Sequence, residues 1–149
     1  MNRALSLYAR LCIGLLIACC ATAIAQQPML LVQDAWTRHV PGSDVAAVYL
    51  TVRNPSSKPI TIVGVESPVA AHAMIHETRT EGGLSQMRPH EQLVIPPGQV
   101  VKLEPGGLHI MLHDVKQPPA VGQSVPLVLL LGDGGKVTVT APVRPLNAQ

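Results

Sequence analysis

Turn-forming residues cut this chain of 149 residues into short pieces, none long enough for a substantial helix. Pro41-Gly42-Ser43, Asn54-Pro55-Ser56-Ser57, Glu81-Gly82-Gly83, Pro96-Pro97-Gly98, Pro105-Gly106-Gly107 and Asp133-Gly134-Gly135 are turn signals. Proline there presets φ, and glycine admits the positive φ that tight reversals need. The runs between them are rich in Val, Leu, Ile and Thr. Strands are predicted at 30–37, 45–54, 60–66, 70–78, 83–88, 92–95, 100–104, 108–115, 125–131 and 136–143. Ten short strands with turns between them imply one all-β domain, a sandwich or a barrel.

The first residues read differently. Arg3 and Arg10 are followed by the apolar run LCIGLLIACCATAIA, which closes on Ala23-Ile24-Ala25. A basic start, a short apolar stretch and a small-x-small site identify residues 1–25 as a secretory signal peptide, leaving 26–149 as the mature domain. The run is too short for a membrane span. Leu16-Ile17-Ala18-Cys19 also resembles a lipobox, so acylation at Cys19 is the alternative fate of this leader.

Cutting after Ala25 removes Cys12, Cys19 and Cys20, so no disulfide braces the fold. It also removes two of the eleven Lys and Arg residues, leaving nine against nine Asp and Glu. A balanced domain without a basic run has little attraction for nucleic acid or an anionic membrane, and its docking on a partner is expected to respond weakly to salt. Phe is absent, and Trp36 and Tyr49 are the only aromatic residues after the leader, so the core must be aliphatic.

Two segments carry chemistry, AHAMIH at 71–76 and GLHIML at 107–112. Alternate residues of a strand share a face. His109 and Met111 therefore point one way while Ile110 and Leu112 point into the core, and His72, Met74 and His76 share one face of an earlier strand. A single Met is ordinarily core filler and a single His ordinarily a surface or hydrogen-bonded residue; Met29, His39 and His90 are read so. Mixed His/Met faces make poor cores, because a buried imidazole needs a partner. If the two strands are neighbours, imidazoles and thioethers converge.

Thioethers are soft, neutral ligands that favour Cu(I) over Zn²⁺ and have little use for Mg²⁺ or Ca²⁺. Two imidazoles and two thioethers suit a monovalent ion that needs no anionic ligand. A blue-copper electron carrier requires a Cys thiolate, which the mature chain lacks. No G-x-S-x-G occurs and no thiol nucleophile remains, while a catalytic zinc would leave the methionines without a purpose, so an enzyme is not expected. A non-metal scaffolding sandwich is the reading from another class; it should bind no Cu(I) tightly.

The sequence resembles the periplasmic copper chaperone family PCuAC, whose signature is His (or Met), ten residues, Met, twenty-one residues, then His-x-Met. His76, Met87, His109 and Met111 fit every spacing. DAWTR at 34–38, VAAVYLTVRN at 45–54 and PGGLHIML at 105–112 look like the family as well. The resemblance implies a cupredoxin-like, Ig-like Greek-key β-sandwich. It implies one exposed Cu(I) at one end, held by those four residues, with Met74 the first additional candidate ahead of His72 and His113. It implies a periplasmic carrier that delivers copper, typically to the Cu(A) domain of cytochrome c oxidase or to another assembly factor; buffering without a dedicated recipient is the alternative, and a monomer is expected. Some relatives add a His- and Met-rich tail; the residues VRPLNAQ supply none, so no tail-borne copper site is expected. Because His109 and Met111 follow the Pro105-Gly106-Gly107 turn, they are expected at a strand end near solvent.

Overall fold

Aliphatic residues at every second position give each strand one face to bury, and the chain satisfies this by laying two sheets against each other. The computed structural model describes residues 30–38, 40 and 42–145. The signal peptide, the lipobox alternative, Met29 and His39 lie outside the described residues. Ten strands follow in order: β1 (Leu31–Arg38), β2 (Ala46–Arg53), β3 (Ile60–Glu66), β4 (His72–Glu81), β5 (Leu84–Pro89), β6 (Leu93–Ile95), β7 (Val100–Leu103), β8 (Leu108–His113), β9 (Ser124–Leu131) and β10 (Lys136–Arg144). Each matches a run predicted from the sequence, and the described residues contain no helix, hence none that could cross a membrane.

One sheet has the order β5-β4-β8-β2-β1, with β7 also on β2; the other has the order β10-β9-β3-β6. They are joined where β1 and β10 run parallel for a short stretch, Thr37 opposite Val143 and Arg38 opposite Arg144. Between the sheets lies the aliphatic core that the composition required. Val48, Val52, Ile110 and Leu112 face Ile62, Ile95, Val125, Leu127 and Leu129, all 2 % exposed or less.

One irregularity positions the later site. β7 and β8 pair with β2 one after the other, Leu103 opposite Leu50 and Ile110 opposite Val48. The residues between them loop out in a turn, with the Gly107 amide donating to the Glu104 carbonyl at 3.1 Å. Gly106 sits there at φ +84°, a conformation that a Cβ would strain.

Candidate metal centre

β4 lies between β5 and β8, and its register assembles the candidates. His72 is opposite His113, Met74 opposite Met111 and His76 opposite His109; on the other side, Thr78 is opposite Met87. Directly opposed residues of an antiparallel pair point to the same face, their Cβ atoms about 5 Å apart. His72, Met74, His76, Met87, His109, Met111 and His113 therefore share the outer face of the first sheet. Ile75, Ile110 and Leu112 alternate with them and are buried in the core.

The cluster runs from buried to open. His109 is only 5 % exposed, His76 and Met111 are half-buried, and Met74 and Met87 are 40 % and 58 % exposed. Such exposure removes core filling as the reason for Met74 and Met87. His109 does stand at the start of β8, but the expectation that it lies near solvent is not met. The Pro105-Gly106-Gly107 turn does not reverse the chain at the rim of the sheet; it interrupts a strand line that continues along β2. His109 therefore emerges inside the sheet, with His76 beside it on β4 and the Tyr49 ring 6.4 Å away, centroid to centroid.

Both imidazoles are prepared to offer a lone pair. His109 Nδ1 is 3.0 Å from the Gly107 carbonyl oxygen. That oxygen can only accept, so Nδ1 carries the proton and Nε2 is left with its lone pair. The same carbonyl accepts from the Thr78 amide at 3.1 Å, which ties the turn to β4 and fixes the ring. His76 Nδ1 is buried without a hydrogen-bond partner. Burial first, and then the nearby His109 and His113 rings, push His76 below the ordinary histidine value of 6.5.

A pH dependence of the metal-free domain follows. The unfolded chain takes up a proton at this position before the folded one does, so His76 supports the fold fully above about pH 6.5. That support is lost as pH falls toward the depressed folded value. Urea midpoints measured from neutral to acidic pH should therefore decline more steeply for the parent than for His76→Gln. Equal slopes would show that the His76 environment has no such effect.

The structure also gathers residues that the spacing did not rank highly. His113 has its ring centroid 5.8 Å from that of His76, close to the 6.0 Å between His76 and His109. Tyr49 links His109 to Trp36, with 4.6 Å between the Trp36 and Tyr49 centroids. Strand alternation shows which residues share a face but not which strands adjoin, so His113 was named only as a lesser candidate and Tyr49 not at all. Among the described residues, no group of three or more His, Cys, Asp or Glu side chains is placed to hold a metal. His90, directly after β5, contributes its backbone amide to the Ile75 carbonyl.

Comparison with known proteins agrees with this architecture. The solution structure of the Cu(I) form of DR1885 from Deinococcus radiodurans is 34% identical, with a TM-score of 0.65, covering 80% of this chain and 81% of that one. The copper-bound PCuAC domain of PmoF2 has a TM-score of 0.67 over 79% of this chain and 94% of that one; at 24% identity it bears on the fold alone. A protein of Leifsonia xyli subsp. xyli (strain CTCB07), named as a lipoprotein, Lxx21020, is 34% identical over 117 residues, 78% of this chain and 70% of its own length. The sandwich, with imidazoles and thioethers on one outer sheet face, has the cupredoxin-like fold of the PCuAC domains. The LpqE-like lipoprotein family model matches residues 30–143, and the chain belongs to that family.

Proposed function

We propose that this protein is an exported metallochaperone that holds one Cu(I) with His76, Met87, His109 and Met111 and passes it to a copper-accepting protein. One observation carries the reading: His76 opposes His109 directly, Met111 follows His109 on the same face, and Met87 lies one same-face step from His76. The residues suit the ion. The unpartnered Nδ1 of His76 and the free Nε2 of His109 supply two neutral nitrogens, and Met87 and Met111 supply two soft sulfurs. Met74, opposite Met111, is a further thioether within reach of an exchange.

The gradient of burial suits cargo that must leave. Met87, on an edge strand and 58 % exposed, is the ligand an incoming acceptor can replace first, and buried His109 is the last to let go. The domain relatives named for copper and the relative named as a lipoprotein support copper handling outside the cytoplasm, either free after cleavage at Ala25 or anchored at Cys19. The acceptor we propose is the Cu(A) domain of cytochrome c oxidase or another assembly factor in the same compartment. Nothing in this chemistry requires catalysis.

The test mixes the Cu(I)-loaded protein with the apo Cu(A) domain while a chelator traps any copper released to solution. Acceptor loading should persist under the chelator and vanish when Met111 is replaced by Ala. Loading that disappears with the chelator means that copper travels through solution, and the protein is then a buffer.

A further inference from the structure

The outer face of the first sheet carries a second group of side chains that copper does not explain. Trp36 and Tyr49 oppose each other on β1 and β2. The guanidinium carbon of Arg38 is 5.6 Å from the Trp36 ring centroid and 5.9 Å from that of Tyr49. The guanidinium carbon of Arg144 is 5.2 Å from the Trp36 centroid. The parallel junction of β1 and β10 puts these two arginines opposite each other.

The rings answer the positive charge by cation–π attraction but leave the N–H donors unfilled. A guanidinium has five such donors in a rigid fork. The ion pairs among the described residues are His72–Asp114 and Arg79–Glu77, and neither involves Arg38 or Arg144. The buried Nε of Arg38 has no hydrogen-bond partner. At the strand positions of this face the remaining full charges have the same sign, while Glu104 and Asp114 stand in the turns at its margins. Arg53 and Lys102 also stand at outward strand positions, whereas no Asp or Glu does; Asp34 sits in the irregular stretch of β1 between Gln33 and Trp36. The balanced total of nine against nine thus does not show that the outward strand positions of this face carry Arg38, Arg53 and Lys102.

We infer that Arg38 and Arg144, braced on Trp36, form a carboxylate-binding site for an acidic segment of a protein partner, which on the copper-transfer reading proposed above is the acceptor. Forked donors held on a ring match discrete carboxylates, which accept them two at a time. A lipid surface, by contrast, responds to the number of charges and has no use for the fork. The site lies beside the metal cluster, because the Trp36 and Tyr49 rings are in contact and Tyr49 is next to His109. A partner anchored there has its own ligands near the exposed thioethers. Docking then depends on salt, contrary to the weak dependence that the balanced total implied.

Trp36 is the chain's single tryptophan, so its fluorescence reports on this site alone. The probe is a blocked Asp-rich peptide, compared with the same peptide carrying Asn for Asp. The Asp peptide should change the emission saturably, and more weakly as salt is added, while the Asn peptide should not. R38Q and R144Q should each weaken binding roughly tenfold, and R144K should restore only part of it, since an ammonium keeps the charge and loses the fork. Circular dichroism and melting curves confirm that the variants are folded. Equal binding of the two peptides, indifference to both arginine substitutions, or stronger association with phosphatidylglycerol vesicles than with the peptide overturns the inference. Cu(I) affinity of the parent, measured in the same buffer, separates the two readings: peptide binding without Cu(I) binding sustains the carboxylate site and refutes copper transfer.

Discussion

Replacing Met111 by Ala is expected to weaken Cu(I) binding by at least roughly a hundredfold, exceeding the ten- to hundredfold typical of losing a residue that merely supports a ligand. Met87→Ala should also weaken it strongly, and here the fold is spared. A side chain 58 % exposed on an edge strand contributes little to the core, so stability should stay within about 0.5 kcal/mol of the parent. Met111 is half-buried between β2 and β4, and its truncation also removes packing. The comparison with Met87 separates the two effects. Competition against a Cu(I) chelator at neutral pH gives the affinities, and the parent should hold Zn²⁺ far more weakly than Cu(I). Unchanged Cu(I) binding in both variants, or equal affinity for the two metals, refutes the assignment.

One residue away the outcome reverses. Ile110 stands between His109 and Met111 but points to the opposite face and is 0 % exposed. Ile110→Ala should destabilise the domain by about 2–5 kcal/mol, the lost transfer energy plus the cavity that close-packed neighbours cannot fill. It should lower the Tm by at least about 8 °C. On the proposed assignment, the fraction that remains folded should still take up one Cu(I), because the proposed ligands are carried on the other face. Melting curves with and without copper, together with metal content of the folded fraction, check both halves. A negligible loss of stability would contradict the burial that the sandwich assigns to this position.

How legible all this was in the sequence depended on range. Local signals fared well: alternation located β8 and sent Ile110 and Leu112 inward, and the turn residues divided the strands where the backbone does turn. The spacing from His76 to Met111 named residues that the register of β4, β5 and β8 does bring onto one face. Adjacency between strands distant in sequence was not legible, so His113 ranked only behind Met74 despite its approach to His76, and the contact of Trp36 and Tyr49 beside His109 went unnoticed. The burial of His109 was misjudged for a related reason. A Pro-Gly-Gly turn looks the same in sequence whether it ends a strand at the rim or loops out of a continuing one, and only pairing with β2 distinguishes them. Charge totals have a similar limit, since a sum over residues is blind to which face each occupies.

The position of β5 bears on self-association. All six of its residues are exposed, and among the described residues it pairs with β4 alone, so the other side presents backbone donors and acceptors that no described strand takes up, as the rim of an open sheet does. Such a rim invites a second copy to add a strand, and the exposed Leu84 and Met87 would strengthen the contact. Arg88 and Pro89 oppose it, one by its charge and the other by lacking an amide hydrogen to donate. A ribbon left open along one side is in this way kept from seeding aggregates of its own kind.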